Sequence, residues 1–298
     1  MARVCRVTVV YFDSTMTDEE RRSRLFGGDI FVFSPTPGTR ALADFARGMA
    51  EEAFAPHFPP DAQHHMTGPE YVDVLAKLKP TFINHPRCKE LLRDIFVDLG
   101  IELEQTHFDV PRLRTMTSDY LNAGLTYQFH AHRDTWFSAP FCQLNWWLPV
   151  YEVAESNVMA FHPAYFSNPV RNSSSGYDYA EWVAGGRQMA AAQVDTETRE
   201  QPKALEQISP EPEIRVITPP GGLMIFSGAQ LHSTVPNHSG LTRFSIDFRT
   251  VHRADVESRG GAKNVDSECT GTNLGDFLRV TDLGQLPADL IASYAARI

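Results

Sequence analysis

Seven short β-prone segments, separated by turn residues, occupy the middle of this 298-residue chain. They lie at residues 108–117, 125–132, 141–150, 157–161, 215–218, 223–226 and 241–251. Closely spaced short strands with turn signals are typical of antiparallel sandwiches and barrels. We therefore predict a β core at residues 106–255. A polar insertion at residues 166–212 interrupts it, and its length is typical of a lid or another functional loop.

Residues 1–105 are predicted to form an α/β shoulder beside this core. The segments at 3–12 and 28–34 have the composition of strands, and the second ends in a Pro/Gly-rich turn. Apolar residues recur at threes and fours over residues 40–54, which indicates a helix, and further helices are predicted at 68–77 and 86–99. A tail at 256–298 ends in a short predicted helix, and the whole chain is predicted to be a single domain.

Charge and cysteine content limit the classes of partner. The 27 basic and 37 acidic residues give a net charge of −10, which argues against a broad nucleic-acid or acidic membrane surface. No apolar stretch reaches the roughly 20 residues that span a bilayer. Four scattered cysteines indicate neither a disulfide scaffold nor a cysteine metal site, and they favour the cytoplasm. We expect a small-molecule substrate, and the sequence does not indicate an oligomeric state.

His132, Asp134 and His232 offer two imidazoles and one carboxylate. Side chains alternate along a strand, so His132 and Asp134 are expected to share a face from which Arg133 points away. With His232 from a neighbouring strand they form a facial triad, which leaves three positions on ferrous iron for a cosubstrate and dioxygen. His130 lies on the same face, so a cupin-like centre of His130, His132 and His232 is an alternative.

Arg243 and Ser245 favour the triad over this alternative. Arg243 follows His232 by eleven residues and shares a strand face with Ser245. A guanidinium and a hydroxyl placed together suit a carboxylate ligand. A cupin-like metal enzyme that is not an oxygenase has no need of them. A metal-free binding protein on the same fold is a third possibility, and it would take up no iron.

The pattern His-x-Asp, a distal His and Arg-x-Ser resembles the Fe(II)/2-oxoglutarate-dependent oxygenases. Within them, residues 132–136 (HRDTW) and 143–149 (QLNWWLP) are similar to the phytanoyl-CoA dioxygenase superfamily, especially antibiotic-biosynthesis members of the StrG type. The resemblance covers residues 108–251. It implies a mainly β fold with flanking helices, built as a double-stranded β-helix (a jelly-roll, cupin-like barrel) with the metal at its open end.

The same resemblance implies the chemistry. His132, Asp134 and His232 would hold Fe(II), 2-oxoglutarate would chelate the metal, and O2 would take the remaining position. Arg243 and Ser245 would bind the far carboxylate of 2-oxoglutarate. The enzyme would hydroxylate, or otherwise oxidise, a C–H bond of a small polar metabolite in natural-product biosynthesis and release succinate and CO2. Halogenating relatives have Gly or Ala in place of the carboxylate ligand, so Asp134 argues against halogenation.

Further pocket residues are predicted from the strand that follows the triad. Gln143, Asn145 and Trp147 share one face of it. Polar side chains inside a barrel need hydrogen-bond partners, which a ligand supplies. We therefore predict Gln143 and Asn145 beside 2-oxoglutarate and Trp147 beside the substrate. The other predicted pocket residues are Trp136, His130 and Arg114, the last as a group that recognises an anionic substrate.

Overall fold

A computed structural model describes residues 7–120, 130–186 and 201–295 of the chain. Eleven β-strands lie within these ranges: β1 Val10–Phe12, β2 Ile30–Phe33, β3 Thr106–Phe108, β4 Arg112–Met116, β5 Leu144–Pro149, β6 Met159–Phe161, β7 Ile214–Arg215, β8 Leu223–Ser227, β9 His232–Thr234, β10 Arg243–His252 and β11 Leu278–Arg279. They form an eight-stranded sheet of order β1-β2-β8-β5-β10-β3-β11, in which β4 also pairs with β10, and a three-stranded sheet of order β7-β6-β9. Because β1 and β2 are parallel and their neighbours antiparallel, the large sheet is mixed.

Helices flank the sheets. They are α1 Asp18–Phe26, α2 Pro37–Phe54, α3 Gly68–Asn84, α4 Pro86–Asp98, α5 Tyr179–Glu181, α6 Arg253–Glu257 and α7 Ala288–Ala295. None of those described is long and apolar enough to cross a bilayer. Helix α2 begins with a capping box, in which the Thr36 and Thr39 side chains each accept a hydrogen bond from the other's backbone N–H.

The largest apolar cluster lies between the N-terminal helices and one face of the large sheet. Phe96 of α4 packs edge-on against Trp146 of β5 and Phe248 of β10, at ring-centroid distances of 5.5 Å and 5.9 Å. Alternation along β5 and β10 then directs Asn145 and Arg249 to the opposite face of the sheet. That second face carries the polar residues that the sequence analysis singled out.

The predicted β segments correspond closely to strands β5, β6, β8 and β10. Helix α1 was missed, although Thr17 and Glu20 form a capping box at its start that the sequence already contains. Residues 121–129, most of the strand predicted at 125–132, lie outside the described residues. His132 forms only an isolated bridge, and Asp134 begins a short 3-10 helix, Asp134–Phe137. The expectation that both lie on one regular strand is therefore wrong.

The large mixed sheet with flanking helices is consistent with the predicted mainly β fold. Strand pairing among the described residues produces two sheets and no closed barrel. The bridge between His132 and His232 extends the small sheet beyond β9. Division of the chain at residues 105 and 255 stays a prediction, as does the role of the insertion, of which residues 187–200 are outside the described part.

Candidate metal centre

His132, Asp134 and His232 converge. One ligand atom from each lies within 4.8 Å of the others. The Oδ1 atom of Asp134 is 3.6 Å from Nε2 of His132 and 3.8 Å from Nε2 of His232. Two imidazole nitrogens and one carboxylate oxygen at these separations can share one ion, and this donor set suits a non-heme Fe(II) centre with open positions.

Backbone pairing brings the three ligands together. His132 and His232 exchange two backbone hydrogen bonds, of 2.9 Å and 3.0 Å, across their bridge. The N–H of Asp134 donates to the carbonyl of Gly228, 2.9 Å away, in the turn between β8 and β9. The N–H of Gly228 in turn donates to the carbonyl of Gln143. The ligands are thus linked through main chain, which does not depend on side-chain rotamers.

The imidazole tautomers are set by backbone carbonyls. Nδ1 of His132 lies 3.1 Å from the carbonyl of His130, and Nδ1 of His232 lies 2.9 Å from the carbonyl of Gln230. A carbonyl only accepts, so each Nδ1 carries the proton and each Nε2 lone pair faces Asp134. His130 contributes its carbonyl, while its own side chain is exposed and outside the ligand group. This placement does not favour the cupin-like alternative.

The second carboxylate oxygen of Asp134 is fully engaged. Its Oδ2 accepts hydrogen bonds from Asn145 Nδ2 at 2.9 Å, Gln143 Nε2 at 3.1 Å and Arg249 Nε at 3.3 Å. Only Oδ1 remains for a metal, so the carboxylate is arranged for monodentate ligation. The amides of Gln143 and Asn145 thus have a hydrogen-bond partner in the buried carboxylate of Asp134. Their contact with 2-oxoglutarate stays a prediction.

Arg249 lies among three carboxylates beside the centre. Its Nη1 lies 3.3 Å from Asp109 and 3.6 Å from Asp247. Burial lowers the pKa of Arg249, but the carboxylates of Asp109, Asp134 and Asp247 outweigh it and raise the pKa above its usual range. Arg114, predicted to recognise an anionic substrate, donates to Asp247 at 2.6 Å. Its guanidinium therefore neutralises a carboxylate of the protein.

The charge state of Asp134 follows from the same contacts. Burial raises its pKa, but the Arg249 guanidinium, the two imidazoles and the Asn145 hydrogen bond together lower it from 3.8 to about 2. Asp134 is therefore ionised at neutral pH. An anionic oxygen beside two imidazole nitrogens is a donor set that suits a divalent cation.

Arg243 and Ser245 lie on the face of β10 that also carries Asp247. Arg243 donates to the carbonyl of Asn157 at 2.8 Å, and its guanidinium carbon lies 5.8 Å from the centre of the Trp147 ring. Ser245 is fully buried, and its hydroxyl has no hydrogen-bond partner among the described residues. An unpartnered buried hydroxyl costs about 1–3 kcal/mol. A carboxylate bound beside Arg243 would accept a hydrogen bond from this hydroxyl.

Arg133 and Trp136 lie behind the centre. Arg133 points away from the metal ligands, as predicted, and its guanidinium contacts Asp266 at 3.1 Å and two backbone carbonyls at 2.6 Å. Trp136 is fully buried and donates Nε1 to Asp266 at 2.8 Å. Its predicted place beside the substrate stays a prediction. Asp266 was missed, because a single Asp in a polar tail carries no sequence signal.

The centre is open on the His132 side. The His132 side chain is 32% exposed, whereas those of Asp134 and His232 are 11% and 6% exposed. Phe137 packs edge-on against the His132 ring at 5.6 Å, and Tyr177 packs against Phe137 at the same distance. Tyr177 belongs to the insertion, so the first part of the insertion borders this open side.

A second group of possible ligands consists of Asp18, Glu102 and His252. Arg21 and Arg22 approach the Asp18 carboxylate at 3.6 Å and 3.5 Å. Because two guanidinium groups already balance this carboxylate, the second group is a poor cation site. The His132, Asp134 and His232 group differs in having a carboxylate oxygen left available.

A pH dependence of stability follows from His232. Burial, and then the charge of His132, lower its pKa from 6.5 to about 4. Between these values the unfolded chain binds a proton that the folded protein does not, so stability falls as pH decreases from 6.5 to about 4. The loss is up to about 3 kcal/mol.

Urea unfolding of the metal-free protein from pH 7 to pH 4.5 measures this loss. The wild type and the exposed-site control His130→Gln are expected to lose stability more steeply than His232→Gln. Equal pH dependence in His232→Gln and the control would contradict this assignment.

No protein-family model and no curated protein matches the chain. Among solved structures, EvdO2 from Micromonospora carbonacea var. aurantiaca has 15% identity and a TM-score of 0.46, and the alignment covers 83% of this chain and 94% of EvdO2. Its complex with 2-oxoglutarate has 16% identity, a TM-score of 0.46, and coverage of 80% and 92%.

SnoN, a non-heme α-ketoglutarate-dependent epimerase from nogalamycin biosynthesis, has 16% identity, a TM-score of 0.36, and coverage of 79% and 84%. TM-scores below 0.5 assign neither a family nor a function. Membership in the phytanoyl-CoA dioxygenase superfamily therefore stays a prediction, and the functional assignment depends on the geometry of the metal centre.

Proposed function

We propose that this protein is an Fe(II)- and 2-oxoglutarate-dependent dioxygenase that oxidises a C–H bond of a small polar metabolite. The observation that supports it most is the convergence of the Nε2 atoms of His132 and His232 on a single available oxygen of Asp134. We further propose that the two sheets form the double-stranded β-helix of this enzyme class, with the metal centre at its open end.

The residues fit both the metal and the cosubstrate. Three ligands grouped on one side of an ion leave three positions open, which suits ferrous iron bound to a chelating keto acid. A hydrolytic zinc site can use a similar donor set, but it has no requirement for a buried arginine beside an unpartnered hydroxyl. Arg243 and Ser245 provide that pair, and the charge of a dicarboxylate compensates the burial of the guanidinium.

Bound iron with 2-oxoglutarate and O2 supplies the oxidising chemistry, with release of succinate and CO2. The protein supplies orientation. Asp134 is held by three donors on Oδ2, so its Oδ1 atom stays directed at the metal position. Arg243, supported by the face of Trp147, and Ser245 anchor the far carboxylate. Because His132 borders the open side, the substrate is expected to approach there, beside Phe137.

The reaction we favour is hydroxylation. Asp134 occupies the ligand position that a halide needs in halogenating relatives, so halogenation is disfavoured. A polar substrate is supported by the Asn, Ser, Tyr and Arg content of the insertion at residues 166–212. The place of the reaction in natural-product biosynthesis rests on the resemblance of residues 132–149 to antibiotic-biosynthesis oxygenases.

Substrate-dependent succinate release tests the proposed activity. We expect protein reconstituted with Fe(II) to convert 2-oxoglutarate to succinate in air, and a correct substrate from a panel of polar metabolites to accelerate this conversion. Protein reconstituted with Zn(II) is the matched control and should release no succinate. Turnover of any substrate that persists without 2-oxoglutarate, or equally with Zn(II), would rule out the proposed chemistry.

A further inference from the structure

We propose that Asn273, in the C-terminal segment, is a positioning residue of the metal centre. It orients the amide of Gln143, which in turn orients the carboxylate of Asp134. This inference rests on the proposed metal centre. It adds a residue that lies outside the strands and was absent from every sequence-based expectation.

A directed chain of hydrogen bonds connects Asn273 to the metal ligand. Asn273 Nδ2 donates to Gln143 Oε1 at 3.0 Å. Gln143 Nε2 then donates to Asp134 Oδ2 at 3.1 Å and to Asn145 Oδ1 at 2.9 Å. Asn145 Nδ2 completes the chain by donating to Asp134 Oδ2 at 2.9 Å. Every donor in the chain is directed toward the carboxylate.

The direction of the chain is determined by the carboxylate at one end. An ionised carboxylate only accepts, so the amides of Gln143 and Asn145 must both present NH2 groups to Asp134. Gln143 must then present its oxygen to Asn273, and the NH2 group of Asn273 donates to it. Rotation of the Gln143 amide by a half-turn would place its oxygen against the carboxylate oxygen and its NH2 against the NH2 of Asn273. Both contacts would be repulsive.

Asn273 is itself held firmly. Its backbone N–H donates to the carbonyl of Ser138, 3.2 Å away, just after the 3-10 helix that begins at Asp134. The next residue, Leu274, is fully buried in an apolar cluster that includes Phe277 and Cys142. Cys142 directly precedes Gln143. The C-terminal segment thus contacts both the end of the 3-10 helix that begins at Asp134 and the residues just before β5, which include Gln143.

This arrangement gives Asn273 an effect on metal affinity. With Oδ2 bound by its donors, Oδ1 is left facing the imidazoles and needs no reorganisation when the ion enters. Loss of such outer contacts typically lowers metal affinity by about 10- to 100-fold. We expect a reduction in this range when the Asn273 donor is removed, although Asn273 touches neither the ion nor the ligand atom.

Asn273→Asp tests the proposal with little change in volume. A carboxylate at this position attracts the NH2 group of Gln143 and turns its oxygen toward Asp134. We expect the Kd for Fe(II), measured anaerobically by competition with a chromogenic chelator, to rise by about 10- to 100-fold. Asn273→Ala removes the donor without adding charge and should raise the Kd by about 10-fold, the lower end of this range, which keeps the test available if the Asp variant folds poorly.

Asn264→Asp is the matched control, because it places the same negative charge on the same segment. Within the described part of the chain, the Asn264 side chain bonds only to the neighbouring backbone of Asp266 and Ser267. Its Fe(II) affinity is expected to equal that of the wild type. Equal loss in the two Asp variants would show a general charge effect and overturn the proposal.

A double-mutant cycle separates positioning from a merely structural role. If Asn273 acts through Gln143, Asn273→Asp should have no further effect on Fe(II) affinity in a Gln143→Ala background. Full additivity of the two changes, or wild-type affinity in Asn273→Asp alone, would overturn the proposal and leave the proposed function intact. Failure of the wild type itself to bind Fe(II) would instead overturn the proposed function, and this inference with it.

Discussion

Asp134→Asn is expected to abolish Fe(II) binding at concentrations that saturate the wild type. Three donors surround the Oδ2 position. An asparagine amide must therefore place its oxygen there and direct its NH2 group at the imidazole nitrogens. An NH2 group cannot ligate a cation, so the centre loses both its negative charge and one of its three ligands. We expect the Kd for Fe(II) to rise by more than about 100-fold, beyond the range for outer contacts.

Asp255→Asn is the matched control for this prediction. Asp255 is a half-buried carboxylate that pairs with Arg22 at 2.8 Å, and it is not among the ligands of the centre. The same chemical change there should leave the Fe(II) Kd unchanged, even if it lowers stability. The account is contradicted if Asp134→Asn retains wild-type Fe(II) affinity while folded.

Arg243→Met is expected to separate cosubstrate binding from metal binding. Removing one partner of a buried, hydrogen-bonded charge pair costs about 2–5 kcal/mol, which raises the Kd for 2-oxoglutarate by about 30-fold or more. The Fe(II) Kd should stay near the wild-type value, because Arg243 contacts none of the three ligands in the described structure. Anaerobic calorimetry of 2-oxoglutarate binding to the iron-loaded protein measures the effect.

Arg21→Met controls for the loss of a buried guanidinium. Arg21 is also buried and also donates to a backbone carbonyl, that of Leu99 at 2.8 Å. This variant should bind 2-oxoglutarate as the wild type does. A cupin-like metal enzyme would keep its activity in Arg243→Met, so undiminished 2-oxoglutarate affinity in that variant would argue against an oxygenase.

Much of the fold was accessible from local sequence patterns. Strands β5, β8 and β10 combine aromatic or branched apolar residues with turn residues at their ends, and each was predicted within a few residues. Strand β9 was expected only as the neighbouring strand that carries His232, without bounds, because it has just three residues, His232–Thr234, and owes its conformation to pairing with β6. Local propensity cannot reveal a strand that exists because of a distant partner.

The candidate site likewise contains residues that local sequence patterns predict and residues that they do not. His132 and Asp134 were recognisable because two ligand types stand two residues apart, and Arg243 and Ser245 repeat that spacing. The residues that support Asp134 were not recognisable. Arg249 meets it across 115 residues, and Asn273 meets Gln143 across 130 residues. Spacing placed Gln143 and Asn145 on the correct face, but it could not identify the acceptor that they contact.

Anaerobic addition of Fe(II) and 2-oxoglutarate tests the central claim most directly. We predict a weak visible metal-to-ligand charge-transfer band that requires both components and saturates at one iron ion per chain. The band should be absent in Asp134→Asn, and in Arg243→Met it should appear only at much higher 2-oxoglutarate concentration. A wild-type protein that binds Fe(II) without developing the band, or a band that survives Asp134→Asn, would contradict the proposal that these residues form an iron and 2-oxoglutarate centre.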